Sequence, residues 1–341
     1  MNLCYWSDRH RPPATTPSGL RADDVLGGTL IGCPPSSPGQ ALWPVQVVAA
    51  PLLGRPGSFV REQWATDGEC WSGECEGIRY RRSREILFGV VELDEQAVVA
   101  GGPGSSLQKA TCEAYSRLFR LLSAQELPHL WRVWNYLADI NDERDGLERY
   151  RHFNIGRYDA FVACGRASTG EVPAACTIGL RHGPLSIAFI AGRTPARAVE
   201  NPRQVSAYHY PASYGPRSPT FSRAALLALP EQEILFLSGT ASIVGHATAH
   251  ADDIAGQCEE TLDNVEAVIT EANRLSERAR FALPALSYRV YLRDENHFPL
   301  VRDLVDSRLG DAEVLYVQAD ICRRDLLVEI EAIAVNAVGR T

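Results

Sequence analysis

Leu326-Leu327-Val328-Glu329-Ile330-Glu331-Ala332-Ile333-Ala334, close to the C-terminus, is an apolar run interrupted by two carboxylates. Its aliphatic and β-branched residues predict a well-buried strand. In a strand, residues two apart share a face, so Glu329 and Glu331 project together while Ile330 points the other way. A carboxylate among such neighbours is costly unless it is paired, hydrogen-bonded or protonated. By spacing alone, an edge strand with a solvated face is the simpler reading.

Working outward, the segments before this strand repeat a plan found earlier in the chain. Glu85–Leu93 reads as a buried strand, followed by a glycine-rich loop (Gly101-Gly102-Pro103-Gly104). A helix is predicted from about Leu107 to Leu122, with Cys112, Tyr115, Leu118, Phe119 and Leu122 on one stripe, and then a strand over Trp131–Leu137. The order recurs as a strand over Glu233–Ile243, a helix over Ile254–Arg274 and a strand over Tyr288–Asp294. A second helix near Phe298–Leu309 and a strand at Val314–Val317 lead into the Glu329 run. Two such copies imply two α+β units packed in one chain.

The whole chain narrows the function classes. Its 341 residues can form two ordinary domains, and a net charge of −8 argues against non-specific nucleic-acid or anionic-membrane binding. Lys109 is the sole lysine, which disfavours Schiff-base chemistry. No apolar run approaches the roughly 18–20 residues of a membrane span and the N-terminus lacks a signal-peptide core, so a cytoplasmic protein is expected. Nine scattered cysteines fit a reducing compartment. Cys70 and Cys75, within Cys-Trp-Ser-Gly-Glu-Cys, read as a surface loop rather than half of a zinc site. The first 80 residues are rich in Pro, Gly and Ser (Arg11-Pro12-Pro13, Pro34 to Gly39) around one apolar run, Trp43–Ala50.

Other motifs carry less. His246 and His250 have the i, i+4 spacing of a helical zinc site but lack the metalloprotease glutamate, so hydrogen-bonded or solvent-facing histidines are the simpler reading. Neither a dinucleotide fingerprint nor a nucleophile elbow is present. Residues 150–225 concentrate arginine, tyrosine, glycine and proline and read as functional loops. There Arg157 and Arg217 suit carboxylates, with Tyr208 and Tyr214 as further donors; solvated loop arginines are the alternative. Cys322, seven residues before Glu329, reads by itself as a small packed residue.

Three stretches bring a resemblance. Phe236-Leu237-Ser238-Gly239-Thr240-Ala241-Ser242-Ile243-Val244-Gly245-His246, the segment from Tyr208-His209-Tyr210-Pro211 to Phe221-Ser222-Arg223, and Phe153-Asn154-Ile155-Gly156-Arg157-Tyr158 resemble the chorismatase family from about residue 85 to the end. The Val-Glu-Ile-Glu-Ala pattern resembles the closing strand of YjgF/RidA proteins, whose first glutamate faces a ligand cleft. The resemblance implies an α+β fold of two YjgF/RidA-like (chorismate-mutase-like) units forming a pseudo-oligomer within one chain. The expected division is an N-terminal domain over 1–220, including the Pro/Gly-rich extension, and a C-terminal domain over 221–341. A self-contained cleft implies a monomer.

By the same resemblance the substrate is chorismate, with no metal or other cofactor. Glu329 would protonate the enolpyruvyl group, and Glu331 would make a structural hydrogen bond. Arg157, Tyr208, Tyr214, Arg217, Gly239 and Thr240 would bind substrate. Glycine at 239 and cysteine at 322 resemble the members that release 3-hydroxybenzoate and pyruvate; hydrolytic members, which give a dihydroxycyclohexadiene carboxylate, tend to carry alanine there. Two other readings stand beside this one, a RidA-like imine deaminase and a non-catalytic ligand-binding protein. The deaminase arginine is missing, since Val314 takes its aligned position.

Overall fold

The computed structural model describes residues 2–8, 21–33, 41–98 and 103–337. The runs at 11–13 and 34–39, and Gly101-Gly102 of the expected loop, lie outside the described residues. Among the described residues, three large sheets and two two-stranded ladders build the molecule. The N-terminal sheet comprises β1 (Leu3–Ser7), β2 (Val25–Gly32), β3 (Val45–Val48) and β4 (Phe59–Thr66), in the order β1-β4-β2-β3.

A first six-stranded unit follows: β5 (Trp71–Cys75), β6 (Ile78–Arg82), β7 (Ile86–Leu93), α1 (Ser106–Ala124), β8 (His129–Ala138), α2 (Arg149–Ala163), β9 (Ala174–Leu180) and β10 (Leu185–Gly192). The second contains β11 (Arg197–Val199), β12 (Ala224–Leu229), β13 (Gln232–Ala241), α3 (Ile254–Leu275), β14 (Ser287–Leu292), α4 (Phe298–Leu309), β15 (Glu313–Gln318) and β16 (Val328–Ala337). The sheet orders are β5-β6-β7-β10-β8-β9 and β11-β12-β13-β16-β14-β15. Element for element these are one topology written twice, down to the parallel pairs β8–β9 and β14–β15. The repeat expected from sequence is therefore present, and β11 already pairs within the second sheet ahead of the expected boundary at 220/221.

The helices form for ordinary local reasons. Ser105 caps α1 by accepting from Gln108 N, and Asp253 caps α3 by accepting from Ala255 N and Gly256 N. Each helix pair covers the outer face of its own sheet, with Leu118, Phe119 and Phe161 in one layer and Leu262, Val265 and Val301 in the other. The helix-free faces meet in a shared core that joins Phe88 and Trp134 of the first sheet, Phe236 and Tyr291 of the second, and Leu26 and Trp64 of the N-terminal sheet. The N-terminal segment thus acts as a third wall. Leu3 exchanges two hydrogen bonds with the Gln232 side chain (2.7 and 2.8 Å), and Leu53 N donates to Tyr316 O at 3.0 Å.

Three local expectations differ from the structure. Trp71–Cys75 is an edge strand paired with β6, its exposed alternating residues hiding the strand signal. The stretch 150–225, read as functional loops, contains most of α2 and the strands β9, β10 and β11; the buried face of α2 carries Arg149, His152, Asn154 and Arg157 beside its apolar residues, so no clean apolar stripe marks it. The strand expected over Glu233–Ile243 ends at Ala241, and its pairing with β16 shifts between Leu237 and Thr240. His246 and His250, read as hydrogen-bonded or solvent-facing, are both exposed, beside a tight ladder of Ile243–Val244 with Ala247–Thr248. Among the described residues no helix is long and apolar enough to cross a membrane.

Candidate active site

A cavity of about 410 Å³ opens beside the start of β16, at the seam between the two units. Its lining includes Glu329, Cys322, Arg323, Gly239, Tyr150, Tyr210, Tyr214 and Arg223. Glu329 is 3% exposed, and none of the described side chains donates a hydrogen bond to it. Burial first, and the neighbouring Glu331 charge second, push its carboxyl from the ordinary 4.5 to about 8, against the opposing pull of Arg132 and Arg223. At neutral pH this group is a carboxylic acid with a proton to give.

The partner carboxylate behaves differently. Glu331 Oε1 accepts from Arg289 Nη1 and from the Tyr291 hydroxyl, both at 2.9 Å, and Oε2 is bound by Arg132 Nη2. The Tyr291 hydroxyl lies 2.8 Å from that of Tyr136. Arg132 reaches Glu331 from β8, so this ion cluster ties the two units together. The same-face spacing of two residues therefore yields one paired carboxylate and one unpaired acid.

Gly239 explains how the acid keeps its position. Residues 238 and 239 face the single residue 331 where the β13–β16 register shifts, which makes a β-bulge of the kind that re-aims side chains. Ser238 secures it, its Oγ donating to Ser222 O at 2.6 Å and accepting from Ala175 N at 2.9 Å. A Cβ at 239 would overlap Glu329 Oε1 and come within 2.8 Å of its carboxyl carbon. Glycine leaves the space that the acid occupies.

Cys322 and Arg323 sit on the loop before β16. Arg293, from the end of β14, organises that loop by donating to Ile321 O (3.1 Å), Arg323 O (2.9 Å) and Leu326 O (3.0 Å). Burial, followed by the Glu329 charge, pushes the Cys322 thiol up to about 12, so it stays a neutral S–H. Arg323 stacks 4.1 Å over the Tyr214 ring and donates to His246 O at 2.9 Å. Arg223 donates to the Tyr210 hydroxyl at 2.6 Å. Arg223 Nε and Arg323 Nη2 are both buried and meet no acceptor among the described residues. Two cations with free N–H groups in one cavity suit a ligand with two anionic groups.

Of the residues singled out from sequence, Glu329, Cys322, Gly239 and Tyr214 converge on this cavity. Arg157, Arg217, Tyr208 and Thr240 do not line it. Arg157 is buried beneath α2, its guanidinium over the rings of Tyr115 (5.0 Å) and Phe161 (5.6 Å). Arg217 is exposed and lies over Tyr158 at 4.8 Å. Tyr208 packs against the first unit's outer core, and Thr240 turns its hydroxyl to Ser238 O at 3.0 Å. The sequence reading missed Arg223, Arg323 and the Arg132–Arg289–Glu331 cluster; the two cavity arginines stood beside residues already noted, Ser222 and Cys322.

A family model for the N-terminal part of FkbO/Hyg5-like chorismatases matches residues 62–191. A 3-hydroxybenzoate synthase from Streptomyces hygroscopicus is 39% identical over 282 residues, 80% of each chain. A chorismatase from Streptomyces rapamycinicus is 39% identical over 280 residues, 80% of this chain and 81% of that one. A crystal structure of a chorismatase aligns with a TM-score of 0.84 at 34% identity, covering 97% of this chain and 98% of that one.

Proposed function

Because this chain belongs to the chorismatase family, we propose that it converts chorismate to 3-hydroxybenzoate and pyruvate. The observation that carries the reading is a buried, protonated Glu329 facing a cavity that also holds Cys322 and two arginines with free donors. Chorismate bears two carboxylates, a ring hydroxyl and an enolpyruvyl ether. Arg223 and Arg323 hold its anionic groups, replacing Arg157 and Arg217 in that role, while Tyr210 and Tyr214 frame the ring.

Glu329 delivers its proton to the methylene carbon of the enolpyruvyl group, and positive charge develops at the ether carbon. The ring C4 hydroxyl loses its proton and its oxygen bonds to C3 as the C3–ether bond breaks and pyruvate leaves. The arene oxide opens at C4, a ring proton is lost, and 3-hydroxybenzoate results. No water is consumed and the acid recovers its proton. The neutral Cys322 thiol acts as a hydrogen-bond partner for the ring hydroxyl rather than as a nucleophile. The cleft draws on residues of one chain, which supports a monomer, and we place the enzyme in the cytoplasm.

Incubation with chorismate should give equimolar pyruvate and 3-hydroxybenzoate, and Glu329→Gln should abolish both while leaving the fold intact. A dihydrodiol in place of the phenol, or a variant that keeps full rate, would refute the reading. Faster decay of an imine substrate than of chorismate would favour the deaminase, and saturable chorismate binding without turnover a non-catalytic protein.

A further inference from the structure

We propose that Glu62, on β4 of the N-terminal sheet, is a positioning residue for the acid: through Arg289 it holds Glu331 beside Glu329 and so keeps the acid loaded. The proposal rests on Glu329 being the proton donor. Glu62 is 1% exposed and lies 227 residues from the arginine it binds. Its Oε2 accepts from Arg289 Nε at 3.0 Å and is also bound by Arg289 Nη2. The third nitrogen of the same guanidinium, Nη1, donates to Glu331 Oε1 at 2.9 Å and to the Tyr136 hydroxyl at 3.3 Å. Arg289 thus bridges a carboxylate of the third wall to the carboxylate next to the acid.

Among the described ion pairs of this cluster, Arg132 and Arg289 face Glu62 and Glu331. Burial opposes the Arg289 charge, but Glu62 above all, with Tyr136 and Glu331, raises it well above its ordinary value. Removing the Glu62 charge makes the cluster more positive by one unit, and Arg289 neutralises Glu331 more fully. Both changes favour loss of the Glu329 proton. The other groups facing Glu329 are Arg132 from β8, Cys176 from β9, Tyr150 from α2, Tyr291 from β14, and Arg223 and Cys322 from the flanking loops. Arg289 bonds both Glu62 and Glu331, so the path runs through it.

The test is a carbon-13 NMR titration of glutamate carboxyls in the full-length protein, with Glu329→Gln assigning the signal. Glu62→Gln should lower the Glu329 midpoint by about one pH unit, the order of magnitude for losing one buried unit charge that acts through an intervening ion pair at an effective dielectric of about 20. Glu62→Asp, which keeps the charge, should retain the midpoint, and Glu62→Gln with Arg289→Gln should restore it. With chorismate at pH 8, Glu62→Gln should lower kcat about five-fold with KM unchanged. An unmoved midpoint in folded Glu62→Gln, or an equal shift in Glu62→Asp, would overturn the proposal. If Glu62→Gln does not fold, Arg289→Gln is read instead; it should raise the midpoint, and no change would refute the coupling. A shifted midpoint without any turnover would sink the chorismate reading and support the coupling.

Discussion

Glu329→Gln should be inactive, and its stability relative to wild type should rise with pH. The folded-state carboxyl titrates near 8 and the ordinary value is 4.5. Between those limits the folded chain holds a proton that the unfolded chain has released, so wild-type stability falls as pH rises. Below about pH 4.5 both states are protonated and the group contributes no difference. At pH 7 about 2.5 units of the window have been crossed, which corresponds to about 3 kcal/mol, and the ceiling above pH 8 is about 5 kcal/mol. Glutamine escapes this loss because its amide does not ionise. Its buried amide costs about 1–3 kcal/mol in unmet hydrogen bonds, but that cost is the same at every pH. The assay is urea unfolding of both proteins at pH 5, 6, 7 and 8, read as the difference in unfolding free energy. The variant should gain about 2 to 3 kcal/mol on wild type between pH 5 and pH 7, two of the units in the window. A difference that stays flat across the series would show that Glu329 is not held protonated, and the acid assignment would fall with it.

Two further substitutions probe the cavity. Gly239→Ala combined with Cys322→Ala should move the product from 3-hydroxybenzoate toward the dihydrodiol, because the new methyl displaces the Glu329 carboxyl and the thiol no longer meets the ring hydroxyl; an unchanged product ratio by chromatography would refute that account. Arg323→Ala should raise KM for chorismate about 10- to 100-fold, the loss of one charge-assisted contact, with a smaller effect on kcat; an unaltered KM would remove Arg323 from the substrate site.

What could be read from sequence follows the physics of each segment. The strands around Ile86–Leu93 and Val328–Ala337 and the helices α1 and α3 announced themselves because their neighbours are apolar and periodic. Helix α2 stayed hidden because arginine, histidine and asparagine break up its buried face. The edge strand at Trp71–Cys75 stayed hidden because solvent covers it. In the site, Glu329 was legible as a carboxylate in an apolar strand, yet its difference from Glu331 was not. That difference depends on Arg132, 199 residues away in sequence, and on Arg289, 42 away. Arginines 157 and 217 drew attention through composition; Arg157 too has buried donors without an acceptor, but only Arg223 and Arg323 combine such a donor with a place in the cavity lining, and that combination exists only in three dimensions.

The duplicated topology also accounts for where the acid is found. On β16, Glu329 lies across from Tyr291 and Glu331 across from Arg289. In the first unit the matching positions on β10 are Ala188, across from Trp134, and Ile190, across from Arg132. The arginine is therefore present in both copies and the carboxylates in only one. A buried arginine without a counter-charge is strongly destabilising, and Arg132 has no carboxylate to meet on β10. It crosses the seam to Glu331, which Arg289 already holds. Two arginines on one carboxylate pin the strand that carries Glu329 and join the units at the level of the acid. The first copy, with alanine and isoleucine at the same positions, supplies the cation but no proton donor, so the chemistry is confined to the cleft beside β16.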